Sequence, residues 1–165
     1  MTKFRSATLY LAILGAGALF GFYFTMSVSI MPGFDLTDPY AALQANQDIG
    51  RATQQSAFFV ALLGTPVLLI VALFAGWERV SSRNWLLVSL AGWIAMMVVT
   101  FLCNVPLNQM LDGMTISPTA SGLDGTWQTY SVPWQFWNWF RVASSGVTLL
   151  AAVIALKEIG GMRTA

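Results

Sequence analysis

Hydrophobic residues dominate four long stretches of the chain, and short polar segments separate them. A helix needs about 20 mostly apolar residues to cross a bilayer, and four stretches reach this length: residues 7–31, 56–77, 84–107 and 133–156. The pattern predicts one integral membrane domain over residues 1–165. Its expected fold is all-α, a four-helix transmembrane bundle whose helices are joined by polar loops.

The first two connections carry recognisable helix signals. Met31-Pro32-Gly33 is expected to end the first helix, because proline disfavours a helical conformation in the residue before it. Asp38-Pro39 is typical of an N-cap followed by proline in the first helical turn. Residues 40–53 are therefore predicted to form a short helix at the membrane interface. Residues 78–83 form a short charged turn, which would make the second and third helices antiparallel neighbours.

Composition strengthens the membrane assignment and limits the chemistry. The chain is 56% hydrophobic and 9% charged, whereas soluble domains carry about 25% charged residues. The net charge of +1 gives no basic field that would attract nucleic acid, so the predicted environment is the lipid bilayer. The chain has no histidine and one cysteine, Cys103. This excludes histidine-ligated metal sites and a disulfide within the chain, and we predict no metal and no cofactor.

Basic residues predict the orientation of the bundle. The side that should face the cytoplasm holds most of them, namely Lys3, Arg5, Arg79, Arg83, Lys157 and Arg163. The loops on the opposite, outer side hold Arg51 and five aspartates, Asp35, Asp38, Asp48, Asp112 and Asp124. We therefore expect a multi-pass protein of the cytoplasmic membrane with both termini in the cytoplasm. Gly17 and Gly21 would allow close approach of a neighbouring helix, and homo-oligomerisation stays open.

A polar and aromatic stripe opens the last hydrophobic stretch. Trp127, Tyr130, Trp134, Asn138 and Arg141 follow one another at intervals of three or four residues, so a continuous helix would place them on one face. Two interpretations stay open. The stripe is either an interfacial aromatic belt with a snorkelling arginine or the wall of a pocket.

Pro133 complicates a continuous helix through this stripe, because proline suits the first helical turn better than the interior. The transmembrane part is expected to begin near Val132. Trp127 and Tyr130 would then lie on a preceding turn or short helix.

Arg141 is the main candidate for a functional residue. A charge at its depth in a span usually faces the bundle and finds a partner. Asp48 or Asp112 from the outer loops, or a bound anionic ligand, could supply the negative charge. Asn104 and Asn108 are four residues apart and would face Asn138 if the third and fourth helices pair.

These residues predict a set of roles for a lipophilic, oxygen-bearing small molecule. Arg141 and Asn138 would orient its oxygen and stabilise an oxyanion, which makes them the catalytic candidates. Polar and aromatic ligand contacts would come from Asn104, Asn108, Trp127, Tyr130 and Trp134. Amides inside a bundle are also common interhelical hydrogen-bonding groups, so a purely structural role stays open for each asparagine.

The two motifs resemble those of the anthrone oxygenase-like family of small four-helix membrane proteins. They are Asn104-x-Pro106-Leu107-Asn108 and the spaced Trp127, Tyr130, Trp134, Asn138 and Arg141. The resemblance implies oxidation of anthrones to anthraquinones by dioxygen without metal or flavin. It covers the layout of the whole chain, but its specific motifs cover only the end of the third helix and the start of the fourth.

Three functions follow as hypotheses. The first is a membrane enzyme of the cofactor-independent, anthrone-type oxygenase class. The second is a non-catalytic accessory protein that binds a lipid or quinone, which the lack of an evident general base favours; Asp48, Asp112 or water would have to accept the proton. The third is a transporter or channel, which four helices without internal symmetry disfavour.

Overall fold

The computed structural model describes residues 2–160, and helices form all the regular secondary structure within this range. Arg163, which contributed to the predicted orientation, lies outside the described residues. We number five helices, two of which contain a π-helical segment. Their bounds are α1 (Thr2–Thr25, π-helical Met26–Ile30, Met31–Asp35), α2 (Pro39–Gln54), α3 (Phe58–Phe74), α4 (Val80–Val99, π-helical Thr100–Asn104, Val105–Asp112) and α5 (Leu123–Gly160).

The helices confirm the predicted all-α transmembrane bundle. Segments Lys3–Asp35, Val80–Asp112 and Leu123–Ile159 are each long and apolar enough to cross a membrane. The predicted second span corresponds to α3, which reaches that length only together with α2, from which it is bent by 48°. The bundle therefore has three or four spans, depending on whether this bent pair counts as one.

The predicted short helix is present as α2. The Asp38 side chain caps its first turn, with Oδ2 accepting a hydrogen bond from the backbone N–H of Ala41 at 3.1 Å. Proline at the next position needs no partner for a backbone N–H, so Asp38-Pro39 starts the helix as expected. One face of α2 is buried through Ala42, Leu43, Asn46 and Gln47. We call this end of the bundle the α2 end and the opposite one the terminal end.

The prolines do not end the helices where the sequence predicted. Pro32 follows a π-helical segment by two residues, and the helix continues to Asp35. Pro106 stands in the same relation to the π-helical segment of α4. A proline ring clashes with the carbonyl group four residues earlier, and the wider π turn before each proline makes room for it. The prediction that Met31-Pro32-Gly33 ends the first helix was wrong for this reason.

Pro133 also lies inside a helix. The prediction of a transmembrane start near Val132 was wrong, because α5 begins at Leu123 and runs through Pro133 without a break. Packing of the residues on both sides of the proline against α1 and α4 compensates for the missing backbone hydrogen bond.

The bundle closes through three tightly packed helix pairs and one looser pair. The tight pairs are α1 with α3, α1 with α5, and α4 with α5, while α3 and α4 pack less extensively. A Cβ atom at Gly15 would lie 2.3 Å from Oγ1 of Thr65, and one at Gly92 would lie 2.9 Å from the carbonyl oxygen of Ser144. Glycine is thus required where α1 meets α3 and where α4 meets α5.

Gly17 and Gly21 do not serve this purpose within the chain. No described atom lies within 4 Å of a Cβ atom built at either position. The expected small-residue contact with a neighbouring helix is made by Gly15 instead, on a different face of α1.

The terminal end has a dry core that is closed by a buried arginine. Apolar residues from α1, α3, α4 and α5 form this core, including Leu9, Leu69, Leu86 and Ala152. Beside it, Arg5 donates from Nε to the carbonyl oxygen of Ala72 at 2.8 Å and from Nη2 to Oγ of Ser82 at 3.0 Å. Its guanidinium lies against Gly76, where a Cβ atom would come within 2.1 Å of Cζ. Arg5 therefore joins α1, α3 and α4.

Candidate functional site

Helix α5 carries the predicted stripe on one buried face. Because α5 is continuous, the spacing of three and four residues places Trp127, Tyr130, Trp134, Asn138 and Arg141 one above another, and each is at most 5% exposed. Belt residues that snorkel to water would be exposed at their polar ends. The burial of all five side chains therefore favours the interior interpretation over the interfacial belt.

A cavity of about 420 Å³ lies between the helices at the α2 end. All five helices contribute to its wall, and four of the predicted site residues border it: Asn108, Tyr130, Trp134 and Arg141. Arg141 and Tyr130 are eleven residues apart on α5, so the cavity extends about 16 Å along that helix. Its volume is within the range of about 300–1,000 Å³ that is usual for small-molecule sites.

Arg141 supplies an unneutralised positive charge to the cavity wall. The side chain is 5% exposed, and its Nε and Nη2 atoms have no hydrogen-bond partner among the described residues. Its Cζ atom lies 4.6 Å from the ring centroid of Tyr23 and 4.8 Å from that of Trp134. These two aromatic faces hold the cation by cation–π contacts, but they leave its N–H groups available.

The expected carboxylate partner of Arg141 is absent from the described contacts. Asp48 pairs with Arg51 at 3.1 Å on the exposed side of α2. Asp112 borders the cavity near Tyr130, but it forms no ion pair with Arg141 in the described structure. The prediction that one of these aspartates neutralises Arg141 was therefore wrong. The third alternative, a bound anionic ligand, is left for the charge.

Asn108 presents a hydrogen-bond donor to the same cavity. Its Oδ1 atom accepts one hydrogen bond from the Tyr130 hydroxyl at 3.1 Å and another from Nε1 of Trp134 at 2.8 Å. The indole N–H can only donate, so the amide oxygen must face α5. This fixes the orientation of the amide and leaves its NH₂ group as the part that can bind a ligand.

Three other predicted residues lie in the packing around the cavity. Asn104 donates to the carbonyl oxygen of Trp134 at 3.1 Å, which ties α4 to α5. Asn138 donates to the carbonyl oxygen of Tyr23 at 2.9 Å and to Oγ of Ser27 at 2.7 Å. Asn138 thus faces α1, and the expectation that it faces Asn104 and Asn108 was wrong. The structure brings neither Asn104 nor Asn138 to the cavity wall.

Trp127 is likewise separate from the cavity. Its Nε1 atom donates to Oδ1 of Asp35 at 2.9 Å, and Gln135 donates to the other oxygen of the same carboxylate at 3.1 Å. The ring of Trp127 packs edge-on against Phe34. These contacts fasten the end of α1 to α5 above the site.

Several cavity residues were not among the sequence candidates. Tyr23 from α1 stacks on Arg141, and Thr100 from the π-helical segment of α4 interacts with its phenol group. Asn46 from α2 interacts with Tyr130 in the same way. Apolar side chains fill most of the remaining wall, among them Phe22, Phe58, Leu62 and Met97. A lone tyrosine within an apolar stretch was the one signal that could have indicated Tyr23.

Helix α2 covers the cavity and is fastened to the opposite side of the bundle. The Gln47 side chain donates to the carbonyl oxygens of Leu111 at 2.7 Å and Met114 at 3.1 Å. Beyond this contact, the exposed residues Gln54 and Asp112 border the cavity and form a polar mouth. Asp112 is the one carboxylate among the residues that line the cavity.

Comparison with known proteins assigns the family. A family model described as anthrone oxygenase matches residues 51–154, which is more than half of the chain. The chain belongs to the anthrone oxygenase family. The matched region contains Asn108, Tyr130, Trp134 and Arg141, whereas Tyr23 precedes it. No curated protein and no solved structure matches the chain.

Proposed function

We propose that the cavity binds a lipophilic, oxygen-bearing small molecule and that the chain oxidises an anthrone-type substrate with dioxygen. The observation that carries this proposal is the buried guanidinium of Arg141, whose Nε and Nη2 atoms lack partners. A buried cation without a partner costs several kcal/mol. A ligand oxygen that carries negative charge would remove this cost.

The shape and lining of the cavity support a flat aromatic ligand. Aromatic side chains on α1, α3 and α5 offer ring faces and edges, while Arg141 and the NH₂ group of Asn108 offer hydrogen bonds to oxygen. A fused-ring ketone has a large apolar surface and one polar atom that both donors can bind. An anthrone meets this description, and its enolate has the negative charge that Arg141 lacks.

The reaction then needs a proton acceptor and oxygen but little else. Removal of one proton from the methylene carbon gives an enolate, whose negative oxygen Arg141 and Asn108 stabilise. Dioxygen adds to that carbon, and the proton taken earlier converts the peroxide anion into a hydroperoxide. Loss of the second methylene proton breaks the O–O bond and releases water. One anthrone and one dioxygen thus give one anthraquinone and one water.

Asp112 is our candidate for the proton acceptor. It is the carboxylate that borders the cavity, it lies close to Tyr130, and its exposure connects it to solvent. Asp48, the other candidate from the sequence, is occupied by Arg51 on the exposed side of α2. A proton from the ligand would reach Asp112 either directly or through water in the cavity.

A second candidate function is reversible binding of a quinone or another oxygen-bearing lipid without chemistry. The position of Asp112 favours it, because this carboxylate stands at the exposed mouth of the cavity and not beside Arg141. The donors of Arg141 and Asn108 would bind a neutral carbonyl oxygen as well. In this function the protein would hold or deliver its ligand in the membrane.

Oxygen uptake with anthrone tests both candidates. The purified protein in lipid nanodiscs should consume one dioxygen per anthraquinone formed, above the rate of spontaneous oxidation. Arg141→Met should reduce the rate to that background, and the exposed Arg51→Met should not. Equal rates in the wild type and Arg141→Met would refute the oxygenase proposal. Arg141-dependent binding of anthraquinone without oxygen consumption would favour the second function.

A further inference from the structure

We infer that the cavity opens sideways into the bilayer between α3 and α4, and that its lipophilic ligand enters through this window from the membrane. The inference rests on the proposed function, because it concerns the route to the same site. It adds the source of the ligand, which is the hydrocarbon phase of the bilayer and not the aqueous phase.

The packing of the bundle places the window between α3 and α4. The other neighbouring pairs of long helices pack tightly, and α3 with α4 is the looser pair. One hydrogen bond crosses this pair toward the terminal end, from Nε1 of Trp93 to the carbonyl oxygen of Leu62 at 3.1 Å. Leu62 itself lines the cavity, so this bond forms the floor below which the two helices are closed.

Two phenylalanines mark the window above that floor. Phe59 of α3 and Phe101 of α4 both line the cavity, and both are also exposed on the surface of the bundle, by 42% and 60%. A side chain that borders both the cavity and the surface of an apolar helix lies at an opening between them. Phe101 lies within a candidate span, so this surface faces lipid.

The second opening of the cavity has the opposite chemistry. Gln54 and Asp112 form the polar mouth at the α2 end. Water and protons can use this route, whereas an apolar fused-ring molecule concentrates in the bilayer through the hydrophobic effect. The two openings therefore separate the path of the ligand from the path of the proton.

Binding kinetics in proteoliposomes test the window with anthraquinone as the probe. Quenching of tryptophan fluorescence reports its arrival, and the signal of Arg141→Met is subtracted as the background. Phe59→Ala and Phe101→Ala should each speed both entry and exit by roughly tenfold, since a lower barrier acts on both directions. The matched controls Val60→Ala and Leu102→Ala alter exposed neighbours that do not line the cavity, and they should leave both rates unchanged.

Varying the amount of lipid separates the two sources of the probe. If the probe enters from the bilayer, the association rate follows its mole fraction in lipid at a constant aqueous concentration. Rates that follow the aqueous concentration, or that change in Gln54→Ala and in neither window variant, would overturn the inference. A wild type without Arg141-dependent quenching would instead refute the binding site itself, and with it the proposed function.

Discussion

Replacing Arg141 with methionine should make the protein more stable and unable to bind its ligand. In the empty protein the guanidinium is buried without a carboxylate or a hydrogen-bond acceptor at Nε and Nη2. Methionine has a similar length and fits between the rings of Tyr23 and Trp134. The substitution removes a desolvation cost of several kcal/mol and loses two cation–π contacts of about 0.5–2 kcal/mol each.

The net effect on the empty protein is a gain of about 1–3 kcal/mol in the free energy of unfolding. The melting temperature should therefore rise by several degrees, which a thermal-shift assay in detergent can measure. The effect on binding has the opposite sign. Two hydrogen bonds from a charged donor contribute about 1.5–3 kcal/mol each, so the affinity for anthraquinone should fall by roughly 10² to 10⁴.

Arg5 is the matched control for this experiment. It is also a buried arginine, but its Nε and Nη2 atoms donate to Ala72 and Ser82. Arg5→Met leaves those acceptors unpaired and should lower the melting temperature. If Arg141→Met instead lowers the melting temperature as Arg5→Met does, Arg141 is a structural clamp, and the argument for a ligand-binding arginine fails.

Three further substitutions test other parts of the bundle. Asn108→Asp keeps both hydrogen bonds that the side chain accepts but removes its NH₂ donor, so the protein should stay folded while binding of anthraquinone weakens by about 10²-fold; unchanged affinity would contradict the assigned donor. Gly76→Ala places a methyl group against the guanidinium of Arg5 and should destabilise the protein by about 1–3 kcal/mol in a thermal-shift assay, whereas Gly17→Ala meets no neighbour and should be neutral or stabilising. Gly92→Ala brings Cβ against the backbone of α5 and should lower the melting temperature in the same assay; no change would show that α4 and α5 can separate there without cost.

The parts of the site that the sequence predicted are those that depend on one helix. Spacing of three and four residues placed Trp134, Asn138 and Arg141 on a common face, and this holds in α5 because helical periodicity is local. The apolar stretches predicted the helices, since any backbone in a bilayer must satisfy its hydrogen bonds internally. The N-cap at Asp38 is local in the same sense.

The parts that the sequence did not predict depend on how helices pack. Tyr23 reaches Arg141 across more than a hundred residues, and Asn138 turned toward Ser27 and not toward α4, because α5 packs against α1 as well as α4. No spacing rule within one helix contains this information. The same limit applies to Asp112, which spacing alone could not distinguish from Asp48 as a cavity residue.

The prolines show a further limit. A proline in a hydrophobic stretch was read as a helix end, but Pro32 and Pro106 each follow a π turn that lets the helix continue. Such a turn arises from a balance between local strain and tertiary packing. The sequence contains the proline, but the resulting backbone depends on what the two halves of the helix can bury.

The two π turns set the rotational phase of the helices above them. Each contains about one residue more than an α-helical turn, which turns the following segment by about 100° relative to an unbroken helix. Asp35 meets Trp127, and Asn108 meets Trp134, only in the turned segments. α1 and α4 can therefore present one stripe of side chains to the dry core and a different stripe to the cavity. Deleting one residue from either π turn would rotate the wall of the cavity and leave the core of the terminal end in place.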